Sequence, residues 1–226
     1  MKRYMITLLL GSVVYLAGYG QQRIRSKGLP QPSSPTDRIV LPYYGPVESL
    51  VETFIRTGPS VLVKTDTASE MPREEGFVFT SSRKGLITGL GVNLPYAGGV
   101  YTVSLWEYDT KKLLKQLPVT IAVAGYGFAF ADLEAKSESV PVEANKKYVV
   151  SVFIKENSLN RWPYYYLLKS GGNGNAVPFL PFTIGSLTLL NGQVLSSAEP
   201  AFPENTVYHM DILSGLCDIR FRATEK

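Results

Sequence analysis

Short apolar runs separated by turn-forming residues follow one another from Ile39 onward. The clearest run, from Tyr101 to Trp106, alternates Tyr, Val and Leu with Thr, Ser and Trp, the period-two pattern of a half-buried strand. Residues 146–155 alternate in the same way, and no segment keeps a helical stripe over three turns. This pattern predicts strands at residues 51–55, 60–64, 75–80, 86–93, 101–108, 113–123, 126–133, 148–155, 164–169 and 211–222.

Alternating strands of this kind can bury their apolar faces only against one another. Two facing antiparallel sheets satisfy that requirement, so we expect an all-β fold, an antiparallel β-sandwich of jelly-roll-like type. Gly98-Gly99 and Asp109-Thr110 suit tight connections, and residues 171–175 form a glycine-rich loop. Because no internal repeat is evident, residues 37–226 are predicted to form a single domain.

The first residues have the features of an export signal. Lys2 and Arg3 precede an apolar run over residues 4–17, which is shorter than the roughly 20 residues that a membrane-spanning helix needs. Gly18 and Gly20 suit a signal peptidase, so we predict a signal peptide at 1–20, with an uncleaved signal anchor as the alternative. Membrane contact is then expected only through this segment before cleavage, and the protein is expected in the periplasm or at the cell surface. Residues 21–36, rich in Pro, Ser and basic side chains, are predicted to be a flexible linker.

Composition and charge exclude several classes of protein. The chain has 226 residues, of which 45% are hydrophobic and 12% aromatic, enough to build a core. The net charge is +4, but residues 1–36 carry five basic side chains and no acid, so residues 37–226 carry −1. A nearly neutral domain does not match a surface that follows phosphates, so nucleic acid is not an expected partner. The one cysteine, Cys217, excludes a disulfide scaffold and a four-thiolate zinc site, and we predict it to be a buried thiol.

Catalytic and metal-binding signatures are missing from the sequence. There is a single histidine, His209, and no serine-hydrolase, phosphate-loop or zinc-protease motif, so no catalytic residue is assigned. His209 and Asp211 share one strand face, but two ligands cannot close a zinc site, so no metal and no cofactor are expected. Most acids, among them Glu74 and Glu75, are predicted to be solvated rather than paired for glycoside hydrolysis.

A cluster of aromatic and polar residues is the candidate binding site. Sugars present apolar C–H faces and hydroxyl edges, which aromatic rings and amide or charged side chains can meet. The alternative is ordinary sheet packing of the tyrosines, because alternation turns one of the three to the opposite face. The predicted ligand-binding residues are Asn160, Arg161, Trp162, Tyr164, Tyr165 and Tyr166.

Several short motifs, in matching order from Glu75 to Arg222, resemble one family, domain of unknown function 4082. They are Gly85-x-Ile87-x-Gly89, Leu105-Trp106, Val140-x-Val142-x-Ala144, Tyr148-Val149-x-Ser151 and Tyr208-x-x-Asp211. The chain departs from the family pattern at residues 125–127, where Gly-Tyr-Gly stands in place of Gly-Trp-Gln. The resemblance implies a β-sandwich module of exported or surface proteins, some of which act on or hold polysaccharide. It also implies that Trp106 is a framework residue, and it implies no established activity.

Taken together, these observations predict an exported, noncatalytic binding module whose partner is a polysaccharide or another cell-envelope polymer. The alternative is a structural or adhesion protein that contacts a cell-surface protein and takes no small ligand. Buried or exposed placement of the aromatic cluster would distinguish these two functions.

Overall fold

Strands make up most of the structure, a computed structural model that describes residues 45–68, 72–95, 98–123, 127–155 and 162–225, without the side chains of 65–68 and 162–164. The first elements are β1 (Val47–Glu48), α1 (Val51–Thr57), β2 (Val61–Ala68), β3 (Arg73–Ser81), β4 (Gly85–Val92), β5 (Val100–Glu107), β6 (Leu113–Thr120), β7 (Ala129–Asp132) and β8 (Val140–Val142). The remaining elements are β9 (Lys147–Ile154), β10 (Trp162–Ser170), β11 (Ala176–Val177), β12 (Phe182–Ile184), β13 (Leu187–Ser196), β14 (Asn205–Val207), β15 (Ile212–Ser214) and β16 (Cys217–Ala223).

These strands form three antiparallel sheets. A seven-stranded sheet has the order β12-β13-β3-β9-β5-β6, with β14 paired to β13. A five-stranded sheet has the order β1-β16-β4-β7, with β8 paired to β4. A four-stranded sheet has the order β11-β10-β15, with β2 paired to β10. The predicted all-β sandwich is therefore confirmed.

The main core lies between the seven-stranded and five-stranded sheets. Phe77 and Phe79 of β3 and Ile219 and Phe221 of β16 are fully buried in one continuous apolar cluster. Cys217 is buried in the same cluster, and its thiol donates to the carbonyl oxygen of Val150 at 3.3 Å. Burial raises the pKa of this thiol well above its usual value, so it stays protonated. Cys217 is the buried thiol that the sequence predicts.

The opposite face of the seven-stranded sheet carries a second, smaller cluster around Trp106. Its indole Nε1 donates to the hydroxyl oxygen of Ser151 at 2.9 Å, and its ring meets Phe202 edge-on with centroids 6.0 Å apart. Only 7% of Trp106 is exposed. Trp106 therefore packs within the framework, on the face opposite Val103 and Leu105, as its strand alternation predicts.

The predicted strand at 51–55 is wrong, because α1 occupies these residues. Leu50, Val51, Phe54 and Ile55 recur at intervals of three and four, which places them on one side of a helix, and all four contact the main core. The helix begins there because Asp218, distant in sequence, accepts the backbone N–H groups of its first turn. The predicted pattern was too short to distinguish two turns of helix from a strand.

The predicted strand at 211–222 is interrupted, and a longer one was missed. Gly215 has φ 63°, a left-handed conformation that glycine adopts without strain, and it separates β15 from β16. The missed strand is β13, whose Asn191-Gly192 pair is a typical turn sequence. In the fold this pair lies beside a β-bulge between Leu189 and Asn191, so the strand continues past it.

The described residues all fall within one compact unit that extends over 41–226. Among them no helix has the length and apolar character needed to cross a membrane. The predicted signal peptide at 1–20 and linker at 21–36 lie outside the described residues, so both stay predictions.

Replacing Asp218 by Ala is expected to lower the free energy of unfolding by about 2 kcal/mol, because buried N–H groups lose their acceptor. The carboxylate accepts from the backbone nitrogens of Leu50 at 3.1 Å, Glu52 at 2.8 Å and Ile219 at 2.8 Å. The matched control is Asp132→Ala, which removes a single exposed bond to the Ala135 nitrogen and should cost about 0.5 kcal/mol. Urea unfolding measures both, and equal losses would contradict the assignment of Asp218 as the residue that holds α1.

Candidate functional site

A cavity of about 410 Å³ opens where the four-stranded sheet meets one end of the seven-stranded sheet. This volume falls within the range of roughly 300–1,000 Å³ that is typical of small-ligand pockets. We call it the Glu75 cavity. It is lined by Arg73, Glu75, Tyr166, Val194, Val207, His209, Ile212 and Ser214.

Strand pairing brings the polar residues of this cavity together. Arg73 and Glu75 are two residues apart in β3, so both side chains project from the same face. Across the cavity, Tyr166 of β10 pairs with Ser214 of β15. The following residue, Gly215, allows the end of β15 to approach β3 closely, since a Cβ there would lie 2.3 Å from the Cβ of Glu75.

Glu75 and Arg73 form a charged pair that is exposed unequally. The Nε atom of Arg73 lies 2.7 Å from Oε1 of Glu75, and the exposed fractions of their side chains are 20% and 3%. Burial raises the pKa of Glu75 from 4.5 to about 7, while the Arg73 charge and the Ser214 hydroxyl oppose this rise. The pair therefore places a hydrogen-bond acceptor at the back of the cavity and a donor nearer to solvent.

The rest of the lining divides into an apolar wall and a polar rim. Val194, which pairs with Glu75, and Val207 supply this wall beside the carboxyl group, and Ile212 adds to it from β15. His209 lies at the rim with 76% of its side chain exposed, and its Nδ1 atom is 4.0 Å from Oδ1 of Asp211. The cavity thus combines apolar surface with donors and acceptors beside it, an arrangement suited to a small polar molecule that also has an apolar face.

Carboxylates are few among the described residues that line this cavity. Within the part of the chain that the structure describes, no three His, Cys, Asp or Glu side chains are grouped so as to hold a metal ion. Glu75 is the one carboxylate among the lining residues, whereas glycoside hydrolysis generally uses two.

Glu74 faces the other side of β3 and is buried separately. Its Oε1 accepts the hydroxyl of Ser151 at 2.5 Å, and burial raises its pKa from 4.5 to about 8. The prediction that Glu74 and Glu75 are solvated is therefore wrong. A signal was present in the sequence, because the alternation of Phe77 and Phe79, extended backwards, places Glu75 on the buried face.

The structure brings one predicted ligand-binding residue, Tyr166, into the cavity. Tyr165, its neighbour, is partly buried and packs against the main core. Trp162 and Tyr164 lie in β10, with side chains outside the described part, and Asn160 and Arg161 lie outside it entirely. The binding role of these residues stays a prediction. Sequence reasoning did not identify the cavity residues Arg73, Glu75 and Ser214, since they are brought together only by the meeting of β3 with β10 and β15.

Comparison with known proteins gives one family. The family model described as domain of unknown function (DUF4082) matches residues 58–211 of the chain. This range contains most of the cavity lining and stops just before β15 and β16. A search of curated proteins found no match.

The free energy of unfolding is expected to fall as the pH rises from 5 to 8.5. Burial raises the pKa of Glu75 from 4.5 to about 7, of Glu74 from 4.5 to about 8 and of Asp218 from 3.8 to about 7. Between the unfolded and folded values only the folded chain holds these protons, so raising the pH favours unfolding, by about 1.4 kcal/mol per unit of pKa difference.

Urea unfolding at pH 5, 7 and 8.5 measures this slope. Glu74→Gln and Glu75→Gln should each make it shallower, because a neutral amide does not titrate. Glu204→Gln is the control, since Glu204 is exposed and its pKa is lowered by the hydrogen bond and charge of Lys111. A stability that stays constant or increases across this range would contradict the predicted effect of the buried acids.

Proposed function

Because the chain belongs to the domain of unknown function 4082 family, whose description assigns no activity, we propose a function from the cavity itself. The domain is a noncatalytic binding module, and the Glu75 cavity holds a neutral carbohydrate unit of a cell-envelope polymer. The observation that carries this proposal is the Arg73–Glu75 pair, whose carboxyl group is buried and which lies beside apolar side chains in a cavity of about 410 Å³.

Adjacent hydroxyl groups of a sugar match this pair. Each hydroxyl can donate one hydrogen bond and accept others, so one group can donate to the Glu75 carboxylate while its neighbour accepts from the Arg73 guanidinium. Tyr166 adds a hydroxyl that can act in either direction, and Val194 and Val207 offer a surface for the C–H face of the ring. A purely apolar ligand would displace water from this pair without replacing the hydrogen bonds of that water, at a cost of about 1–3 kcal/mol for each group.

Charge in the cavity favours a neutral ligand. An acidic sugar would bring its carboxylate close to Glu75, and a cationic ligand would meet Arg73 at the more exposed position. Glu75 is the single carboxylate among the described lining residues, which supports binding over hydrolysis, since a glycosidase generally uses a pair of acids. The alternative, a structural or adhesion protein without a small ligand, is one outcome of the following experiment.

Arg73→Gln is expected to weaken binding of a neutral oligosaccharide about 10- to 100-fold, because a hydrogen bond to a charged group contributes about 1.5–3 kcal/mol. A glycan array with the wild-type protein selects the oligosaccharide, and isothermal titration calorimetry measures its affinity. Val207→Phe should also abolish binding, since the larger side chain fills the cavity. Its matched control is Val100→Phe on the exposed start of β5, where 51% of the valine is accessible.

Thermal unfolding of each variant separates lost binding from lost folding. If no glycan binds the wild-type protein, or if Val207→Phe folds and binds as tightly as Val100→Phe, the carbohydrate proposal is wrong. Specific capture of a cell-surface protein under those conditions would favour the adhesion function instead.

We further propose that the protein is exported and acts in the periplasm or at the cell surface, on the basis of its basic and apolar first residues. The mature protein is expected to begin at Gln21 after cleavage behind Gly20. Amino-terminal sequencing of the protein from a periplasmic or surface fraction measures this directly. Recovery of intact residues 1–20 would instead favour the uncleaved anchor, and recovery from the cytoplasm alone would contradict export.

A further inference from the structure

A second pocket, of about 210 Å³, lies between α1 and β16. We call it the Arg56–Arg220 pocket. Its lining brings two arginines and two hydroxyl side chains together with a single carboxylate, and it shares no lining residue with the Glu75 cavity. The lining residues are Val47, Ser49, Glu52, Thr53, Arg56 and Arg220.

One side of the pocket is a face of α1. Thr53 and Arg56 are three residues apart and lie on the same side of α1, and Ser49 precedes the helix by two residues. The hydroxyls of Ser49 and Thr53 are 3.0 Å apart and hydrogen-bonded. The first turn itself is already occupied, because Asp218 accepts its backbone N–H groups, so the donors available to a ligand are side chains.

The other side is Arg220, whose guanidinium is held in place by an aromatic ring. Its Cζ atom lies 4.3 Å from the centroid of Phe130 on β7. Two glycines of β4 make room for this stack. A Cβ on Gly91 would lie 2.5 Å from the Phe130 ring, and one on Gly89 would lie 3.3 Å from Cδ of Arg220. A guanidinium that lies over an aromatic ring still has N–H groups at its edges, where they can bind a planar or tetrahedral oxyanion.

Other arginines of the described ranges have polar partners, and Arg83 donates to the backbone oxygen of Glu225. Arg73 is paired with Glu75, and Arg222 with Glu134 at 3.0 Å. Within the described ranges, neither Arg56 nor Arg220 has a carboxylate oxygen within 4.0 Å. Two positive charges that share a pocket without a paired acid repel each other, and a bound anion removes that repulsion.

We propose that the Arg56–Arg220 pocket binds a phosphate group. Arg220 supplies a pre-oriented fork of donors, Arg56 supplies a second guanidinium, and one of the hydrogen-bonded Ser49 and Thr53 hydroxyls supplies a further donor for an oxygen atom. The opposing charge of Glu52 lowers affinity without cancelling the two arginines. The phosphate can be free, or it can be carried on a polymer or a lipid headgroup. This site does not depend on the carbohydrate proposed for the Glu75 cavity.

Titration of the protein with inorganic phosphate in a low-salt Tris buffer tests the site. Calorimetry or the NMR shifts of the α1 amides measure the binding. Saturable binding is expected. Arg220→Gln and Arg56→Gln should each weaken it about tenfold or more, and Arg220→Lys should weaken it by less, because charge is kept while the stacked fork is lost. Glu52→Gln should instead tighten binding severalfold, because it removes the one lining carboxylate.

The matched control is Arg222→Gln, on the same strand as Arg220 but already paired with Glu134, and it should leave phosphate affinity unchanged. Thermal unfolding verifies that each variant is folded. Because Arg56 is exposed, replacing Arg56 tests the site even if Arg220→Gln destabilises the sheet. The proposal would be overturned if binding did not saturate up to about 50 mM phosphate. It would also be overturned if Arg222→Gln and Arg56→Gln lowered the phosphate affinity equally.

Two further arms identify the source of the phosphate. Sedimentation with vesicles of phosphatidylcholine containing phosphatidic acid tests a lipid headgroup, and vesicles of phosphatidylcholine alone are the control. Binding that requires phosphatidic acid and is lost in Arg56→Gln assigns a headgroup. Binding of inorganic phosphate without vesicle binding assigns a soluble or polymer-borne phosphate, and failure of both probes contradicts the site.

Discussion

Burial of one face of β3 against the five-stranded sheet is the interaction on which both the core and the Glu75 cavity depend. The strand lies between β9 and β13, so its direction and register are held on both edges. Phe77 and Phe79 on this face fill the core. Because side chains alternate strictly along a strand, the same register carries Glu75 inward and Glu74 to the opposite face. A shift by one residue would exchange the two acids and turn both phenylalanines from the main core to the smaller cluster around Trp106.

Burying carboxyl groups within the seven-stranded and five-stranded sheets costs free energy, and contacts with neighbouring polar groups reduce this cost. Glu75 is paired with the positively charged Arg73, and Glu74 accepts a hydrogen bond from the hydroxyl of Ser151. Asp218 accepts hydrogen bonds from the backbone N–H groups at the first turn of α1. Each acid nevertheless keeps a raised pKa, so burial outweighs its partners. Polar groups held in this way are aimed in fixed directions, as a binding cavity requires.

Small residues decide how closely these elements approach. A Cβ on Gly76 would lie 2.1 Å from the carbonyl oxygen of Val150, so β3 could not pack on β9 as it does. Gly215 allows the end of β15 to lie on Glu75, and Gly89 and Gly91 leave room for Phe130 and Arg220. Both proposed sites therefore depend on glycines, which have no side chain and so leave space for functional side chains on neighbouring elements.

The sequence by itself determined the class of the fold and most of its strands, because the period-two alternation is local and appears wherever one face is buried. It also placed Trp106 and Cys217 in the interior, and its order of short motifs pointed to the family that the chain matches over 58–211. Only the tertiary structure decided that residues 51–57 form a helix, since the acceptor at its first turn is 166 to 168 positions away. The Glu75 cavity was decided in the same way. Arg73, Tyr166 and Ser214 meet through pairing between distant strands, and local periodicity contains no information about which strands will be neighbours.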